Sequence, residues 1–450
     1  MLRLLIPLLL LTLTAAADSD LPLLGDEAPM LLQQEQALGR GIYKRLTDEG
    51  AVIEDPLLAD YLEDIGNTLL ASLDRRLRDY RFFLVESDVV NAFAAPGGYI
   101  GIYLGMIDQL ESEDELAAVL AHEIAHVRLR HGMQMREKMD EISWMSMLGI
   151  VNAVLLSSQN PDAAAAMIAL TQAGGVQSMI NFTRVNEYEA DRVGLQLLQG
   201  SDYDPWAMAD LMALLQRKER SGELAQIEYL RTHPVNANRI AEVRARLPQG
   251  RKISRRSRFS QFRDYLFHLY PMHSGRQRPG TFAHALRLVR DGDNEQAGPL
   301  LEQLVKQDPD SIWYSSALAE NLLAARQLGR AAAVYRSLLD LYPGHFAISL
   351  RLAEVLLQQD ETAKAAFLLE DLRRDRRAEP RLYKLLVELY QRQGRDLEKR
   401  LAQADYHWLR GEHELAATQY RLLLEEPALA LSEREKIKQK LTRQKEESAN

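Results

Sequence analysis

A 34-residue repetition in the second half of the 450-residue chain constrains its fold more than any other feature. Pro309 and Pro343 are separated by this step, and so are the members of three columns of residues. The columns are Ala285, Ala319 and Ala353; Ala297, Ala331 and Ala365; and Leu301, Tyr335 and Leu369. A period of this length is typical of stacked helix pairs, in which small residues let the helices approach and a bulky residue fills the groove. The second half is therefore predicted to be an all-α solenoid.

The period and the spacing within each unit resemble those of tetratricopeptide repeats. The pattern continues after a shift at Ala404, Ala416 and Tyr420, and residues 380–394 supply an imperfect unit before it. We therefore assign residues 279–445 to a tetratricopeptide-repeat domain. Such arrays usually present a concave surface to protein or peptide partners and seldom carry chemistry. The alternative is a generic helical bundle, but chance alone would rarely place three columns in one register.

Composition narrows the class of the whole chain. Apolar residues make up 46% and charged residues 26%, which excludes a mostly disordered chain and a polytopic membrane protein. The formal net charge is −9, so the overall charge does not favour a nucleic-acid partner. Cysteine is absent, which excludes disulfides, thiol nucleophiles and cysteine-ligated metals. Histidine, aspartate and glutamate remain as the plausible metal ligands.

The N-terminus has the pattern of a cleaved export signal. Arg3 precedes an apolar run over residues 4–13, and three small residues follow at 15–17. The run is too short to span a bilayer, which takes about 20 apolar residues. We predict a signal peptide at residues 1–17 and a periplasmic location, which also suits an exported chain without cysteine. A retained membrane anchor is the alternative.

A mostly helical unit with a small sheet is predicted between the signal and the repeats. Helical periodicity covers residues 24–70, strands are predicted at 80–85 and 99–103, and a turn is predicted at 91–98. Helical patterns dominate after the second strand. We assign residues 18–250 to this α+β unit.

A basic, serine-containing stretch over residues 251–263 marks the boundary between the two halves. The rest of the protein is acidic, which argues against a nucleic-acid site. We therefore interpret the stretch as part of a solvated linker over residues 251–278.

The most informative chemical motif is an HExxH sequence formed by His122, Glu123 and His126. Ser112 and Glu115 form a capping box before it, and the apolar periodicity that follows predicts a single helix. The two histidines are one turn apart and face the same way, as two imidazoles must to share one metal ion. Glu123 stands beside them, within reach of a water on that metal.

A catalytic zinc site needs a third protein ligand as well as an open position. A histidine six residues after His126 is excluded, because Gly132 occupies that place. His131 is off the ligand face and is assigned to packing or to the surface.

A pair of carboxylates downstream fits the missing ligand. Glu187 and Asp191 are one turn apart on a helix predicted to begin at Asn186 and to end at Gly200. They supply a carboxylate ligand and a second carboxylate that can orient an imidazole or handle a proton. Glu189 points elsewhere and receives no role.

Four motifs, in this order along the chain, resemble those of the zinc metallopeptidase family of HtpX and the CAAX-prenyl endopeptidases. They are Asn91-Ala-Phe-Ala-x-Pro-Gly-Gly, His122-Glu-x-x-His126, Glu187-x-x-x-Asp191 and Thr232-His233-Pro234-x-x-x-x-Arg239. The resemblance implies a zincin-like α+β fold with one Zn²⁺ bound by His122, His126 and Glu187. It further implies that Glu123 is the general base and Asp191 a second acidic catalytic residue. His233 and Arg239 match a loop near the metal in that family.

The roles of His233 and Arg239 stay open at this point. Either Arg239 or a protonated His233 is suited to stabilise an oxyanion. Alternatively, His233 fills the open zinc position and keeps the enzyme latent, or it only forms a turn before the next helix. The glycines before residues 99–103 predict an exposed strand edge beside the motif helix, to which an extended substrate would add by backbone hydrogen bonds.

A methionine-rich segment follows the motif, with seven of the 13 methionines between Met133 and Met179. One interpretation of residues 133–180 is an adaptable lid, or a surface that contacts a membrane or an unfolded client through residues 144–170. The other is core packing.

With an export signal in front and repeats behind, the resemblance implies a periplasmic zinc endopeptidase. Its substrates would be misfolded or stalled outer-membrane β-barrel proteins, whose assembly it would also assist. The repeats would dock on the β-barrel assembly machinery. The alternative function is a chaperone or assembly adaptor with a latent metal site.

Overall fold

The computed structural model describes residues 28–71, 80–138, 176–221, 227–252, 258–273, 279–374 and 379–449. The predicted signal peptide at 1–17 and the possible membrane contact at 144–170 lie outside these residues, as does most of the segment 133–180. Within the described ranges, no helix combines the length and the apolar character needed to cross a bilayer.

Two helices precede the sheet, α1 (Ala28–Asp48) and α2 (Pro56–Leu70), both within the predicted helical range. Asp55 caps α2, because its carboxylate accepts hydrogen bonds from the backbone N–H groups of Leu57 and Leu58. The apolar face of α2 is buried against the sheet.

The sheet has three strands in the order β1 (Arg81–Val85), β3 (Tyr99–Tyr103), β2 (Ala92–Ala95). β1 is parallel to β3, and β2 is antiparallel to it. The strand β2 lies inside the predicted turn at 91–98, because the tight turn Pro96–Gly98 folds it back onto β3. The predicted exposed edge at residues 99–103 is therefore wrong: β3 is the central strand, and β1 and β2 are the outer strands.

Helices complete the first half. They are α3 (Leu104–Gln109), α4 (Glu113–Arg128), α5 (His131–Lys138), α6 (Val176–Gln199), α7 (Trp206–Ser221), α8 (Glu228–Thr232) and α9 (Ala237–Ala245). The HExxH helix α4 lies at the centre and packs against α6, α7 and β2. α6 begins at Val176, earlier than the predicted start at Asn186.

Part of the predicted linker 251–278 is a buried helix, α10 (Phe259–Leu269). Its side chains Phe259, Phe262, Tyr265 and Leu266 are at most 2% exposed. Arg263 Nη1 donates a hydrogen bond to the Leu110 carbonyl at 2.6 Å, so this arginine joins α10 to the first half. The solvated-linker interpretation therefore needs correction over these residues, whose apolar spacing was obscured by the basic residues before them.

The second half is a series of helix pairs. They are α11 (Thr281–Arg290), α12 (Asn294–Gln307), α13 (Ile312–Ala324), α14 (Leu328–Leu341), α15 (Phe346–Gln358), α16 (Thr362–Arg374), α17 (Pro380–Arg392), α18 (Asp396–Leu409), α19 (His413–Leu424) and α20 (Leu431–Ala449). Every member of the three predicted columns is at most 1% exposed. The repeats are thus confirmed, with the columns at the helix-to-helix contacts.

The repeats wrap around the first half. The first helices of two pairs, α13 and α15, pack against α10 and α2. Arg351 on α15 lies 2.7 Å from the cap residue Asp55, and Arg410 beyond α18 lies 3.2 Å from Glu54. Part of the repeat array, which was expected to bind partners, is therefore covered by the protein's own first half.

Candidate metal centre

The HExxH motif occupies the buried face of α4. Ser112 caps this helix, since its Oγ accepts a hydrogen bond from the Glu115 N–H at 3.2 Å. Acidic residues fill the first turn, where they favour the positive end of the helix dipole. His122 is 4% exposed and Glu123 is fully buried. Two polar side chains are thus held in the core by a well-anchored helix.

Four side chains converge beside this helix: His122, His126, Glu187 and His233. One potential ligand atom from each lies within 4.8 Å of the others. The His122 and His126 Nε2 atoms are 3.0 Å apart, and Glu187 Oε1 lies 3.3 Å from the latter. His233 approaches with Nδ1, at 3.0 Å from Glu187 Oε1 and 3.3 Å from His122 Nε2. Nitrogen and carboxylate-oxygen donors of this kind are those that zinc takes in proteins.

Two members of the cluster, Glu187 and His126, have protonation states that suit a bound cation. Burial by itself would raise the pKa of Glu187, but the imidazoles of His233, His122 and His126 outweigh burial and hold it well below its usual range. Burial lowers the pKa of His126 to about 3, so this ring is neutral at physiological pH. Glu187 and His126 thus have the protonation states of metal ligands. His122 differs: burial alone would lower its pKa, but hydrogen bonds to Asp191 and Glu187 raise it to about 10, so metal binding must displace a proton from this ring.

Asp191 and Arg239 form a second layer behind the cluster. Asp191 Oδ1 lies 3.1 Å from His122 Nδ1, and the Arg239 guanidinium donates to both carboxylate oxygens of Asp191 at 2.7 Å. Arg239 Nη1 also lies 2.8 Å from Glu187 Oε2 and donates to the Pro234 carbonyl at 2.7 Å. Arg239 is only 2% exposed. As placed here, it organises the site and is not free to meet an oxyanion.

The surroundings of Glu123 differ from those of Asp191 and Arg239. Neither of its carboxylate oxygens makes a hydrogen bond of good geometry within the described part of the chain, although the Tyr229 hydroxyl is near enough to lower its pKa. The nearest imidazole nitrogen in an ion pair with it is His233 Nε2, at 3.6 Å. Burial raises the pKa of Glu123, although His233 and His122 oppose the shift. A buried carboxylate without a partner is costly unless a bound group uses it. The donor set and this orphaned carboxylate together fit a zinc ion with a water beside it.

The sequence analysis missed Tyr229, which is buried on α8. Its ring centroid lies 4.7 Å from that of His233, and its N–H donates to the Val90 carbonyl just before β2. Burial, reinforced by the charge of Glu123, raises its pKa well above the usual value. The one-turn spacing between Tyr229 and His233 was the available signal.

His131 and Glu189 also lie closer to the centre than expected. His131 Nδ1 is 3.0 Å from His126 Nδ1, and His131 Nε2 is 3.5 Å from Glu189 Oε2. His131 was predicted to pack or to lie at the surface. Its side chain is buried, but it also contacts the potential metal ligand His126.

The two halves of the chain match two different protein families. Residues 56–247 match peptidase family M48, and residues 322–389 match the tetratricopeptide repeat. The beta-barrel assembly-enhancing protease of Yersinia pestis is 30% identical over 377 residues, covering 78% of this chain and 76% of the relative. Its namesake in Escherichia coli strain K12 is 30% identical over 377 residues, covering 79% and 77%. A putative beta-barrel assembly-enhancing protease of Vibrio cholerae is 29% identical over 417 residues, covering 87% and 86%.

Proposed function

Because the chain belongs to peptidase family M48 and is similar to the beta-barrel assembly-enhancing proteases, we propose that it has a specific role in the periplasm. It degrades misfolded or stalled outer-membrane β-barrel proteins and assists the assembly of others. The family confirms the predicted metallopeptidase activity, the zinc cofactor and the order of an α+β peptidase domain and a repeat array. The observation that carries the proposal is the convergence of His122, His126 and Glu187 beside the unpartnered carboxylate of Glu123.

We assign the zinc ion to His122, His126 and Glu187. When bound, zinc polarises a scissile carbonyl and lowers the pKa of a water ligand to about 7. Asp191 fixes the ring of His122 through Nδ1, and Arg239 in turn fixes Asp191 and Glu187. Partners of this kind set the tautomer and orientation of ligand imidazoles. Asp191 therefore acts in this proposal as a positioning residue rather than as an acid.

Glu123 is assigned as the general base. Its carboxylate takes a proton from the attacking water and returns it to the leaving amine. Burial raises its pKa toward the pH at which the reaction runs, which suits a group that must both accept and release a proton.

His233 is assigned to a latent state. Its Nδ1 joins the three ligand side chains, and its Nε2 lies 3.6 Å from Glu123 Oε1. In this position His233 fills the place of the water and stands next to the base. The hydrogen bond from Arg239 to the Pro234 carbonyl holds the adjacent loop in place. Substrate entry must therefore displace His233.

Replacing His233 with alanine is expected to raise kcat/KM for an unfolded protein substrate. If the open state makes up about 1–10% of the population, the rise is about 10- to 100-fold. Initial rates of cleavage at fixed zinc occupancy measure the effect. A fall in kcat with an unchanged KM would contradict latency and favour transition-state stabilisation by His233.

The edge strand β2 is the proposed substrate platform. It packs against the HExxH helix on one side and pairs only with β3 among the described strands. An extended chain adds to such an edge through backbone hydrogen bonds, which read conformation more than sequence. This preference suits unfolded or unassembled clients.

The repeats are proposed to dock on the β-barrel assembly machinery. Since α2 and α10 pack against the repeat helices α15 and α13, partners must use other parts of the array. The alternative function, an assembly adaptor with a latent metal site, receives some support from the position of His233. Digestion of an unfolded β-barrel protein with and without a zinc chelator decides between the two.

A further inference from the structure

The two imidazoles assigned to zinc differ in what holds their outer nitrogens. His122 Nδ1 faces the carboxylate of Asp191 at 3.1 Å. His126 Nδ1 instead faces His131 Nδ1 at 3.0 Å, and His131 Nε2 faces Glu189 Oε2 at 3.5 Å. We propose that His131 and Glu189 form a positioning relay that orients His126 for the metal. This inference rests on the proposed zinc site.

The proton positions along the relay follow from the ligand role of His126. A ring that offers Nε2 to a metal carries its proton on Nδ1, which must donate to an acceptor. His131 Nδ1 is placed to be that acceptor, which requires the proton of His131 to be on Nε2. That N–H is then directed toward a carboxylate oxygen of Glu189. The 3.5 Å separation is longer than a hydrogen bond of good geometry, so His131 Nε2 has no hydrogen-bond partner among the described residues and a small movement of the exposed Glu189 side chain must close the relay.

The backbone brings His131 to this place by an unusual turn. Helix α4 ends at Arg128 and α5 begins at His131, and Arg130 between them has a positive φ of 58°. This left-handed conformation is uncommon for a residue other than glycine. The side chain of Arg130 is fixed by the buried Glu35 of α1, at 2.5 Å. The turn directs His131 back against α4.

Burial argues against a packing role alone. His131 is 4% exposed, and both its ring nitrogens face polar atoms. An apolar side chain would fill this space without the cost of burying two polar nitrogens. Glu189, at 46% side-chain exposure, is the end of the relay that reaches solvent. His131 is therefore placed as the link between a metal ligand and an exposed carboxylate.

The test compares His131→Phe, which keeps a planar ring but has no acceptor, with His131→Asn, whose carbonyl oxygen can replace Nδ1. Zinc affinity is measured by chelator competition, and the visible spectrum of the Co²⁺-substituted protein reports ligand geometry. The phenylalanine variant is expected to lose about 10- to 100-fold in zinc affinity and to show a shifted Co²⁺ spectrum. The asparagine variant should recover most of both. Glu189→Leu, at the exposed end, should weaken zinc binding in the same direction without unfolding the protein.

Equal zinc affinity and identical Co²⁺ spectra for wild type and His131→Phe would overturn the relay. Equal losses in the phenylalanine and asparagine variants, matched by equal losses in metal-free thermal stability, would show that His131 only packs. Failure of the wild-type protein to bind zinc would instead refute the proposed function itself.

Discussion

Replacing Glu123 with glutamine is expected to lower kcat/KM by about 10²- to 10⁴-fold, the usual contribution of a general base. Glutamine keeps the shape of the side chain but cannot accept the proton of the attacking water. Neither carboxylate oxygen of Glu123 makes a hydrogen bond of good geometry among the described residues, and the neighbouring Tyr229 hydroxyl can interact with a glutamine as well. The fold and the zinc content should therefore persist. Cleavage kinetics and metal analysis of the same preparation measure both.

The matched control is Glu219→Gln, the same change at an exposed position on α7. Activity of the Glu123→Gln protein within a few-fold of wild type would remove Glu123 from the mechanism.

A cellular experiment separates the two proposed functions. If Glu123→Gln restores envelope assembly as well as wild type does, proteolysis is not the main function and the adaptor alternative is favoured.

Replacing Glu187 with glutamine is expected to abolish stable zinc binding. Loss of an outer partner costs about 10- to 100-fold in metal affinity, so loss of a direct anionic ligand should cost more. Glu187 is also the carboxylate that all three imidazoles contact, and an amide would remove the negative charge that they share. Zinc per chain is measured after dialysis against a weak chelator. Circular dichroism verifies that the variant is folded.

The same control variant, Glu219→Gln, should retain one zinc per chain. Unchanged zinc content in the Glu187→Gln protein would show that the ligand set is wrong. In that case His233 would be the third protein ligand, and the double replacement of Glu187 and His233 would be needed to empty the site.

The repeat half could be predicted from the sequence because its constraints are local and repeated. A small residue at each helix contact, as at Ala319 and Ala331, is required by the close approach of neighbouring helices. Both are fully buried. Helix α10 was not predicted because its five buried aromatic and aliphatic residues follow a basic run that hides their helical spacing. Its burial depends on α2 and α13, which are distant in sequence.

The chemistry of the centre was also partly visible in advance. The spacing of His122 and His126 fixes their common face, and the structure brings Glu187 to it from a distant helix. The edge strand β2 was missed, since Ala92–Ala95 lacks the β-branched residues typical of strands and is held by its pairing with β3. The contact of His131 with His126 depends on the left-handed turn at Arg130, which no spacing rule indicates.

The role of Arg239 shows what a structure adds to a motif. From sequence, a cationic residue near the metal was a candidate to stabilise an oxyanion. In the structure its donors are taken by Asp191, Glu187 and the Pro234 carbonyl. Arg239 therefore links the two carboxylates to the loop that carries His233.

Digestion of an unfolded outer-membrane β-barrel protein tests the central claim most directly. The wild-type chain and the His233→Ala variant are compared, each with zinc, with a zinc chelator, and with zinc restored. We predict cleavage that the chelator abolishes and added zinc restores, faster in the His233→Ala protein and absent in Glu123→Gln. Cleavage that is insensitive to the chelator, or no cleavage by either zinc-loaded protein, would contradict the proposal that this chain is a zinc endopeptidase acting on such clients.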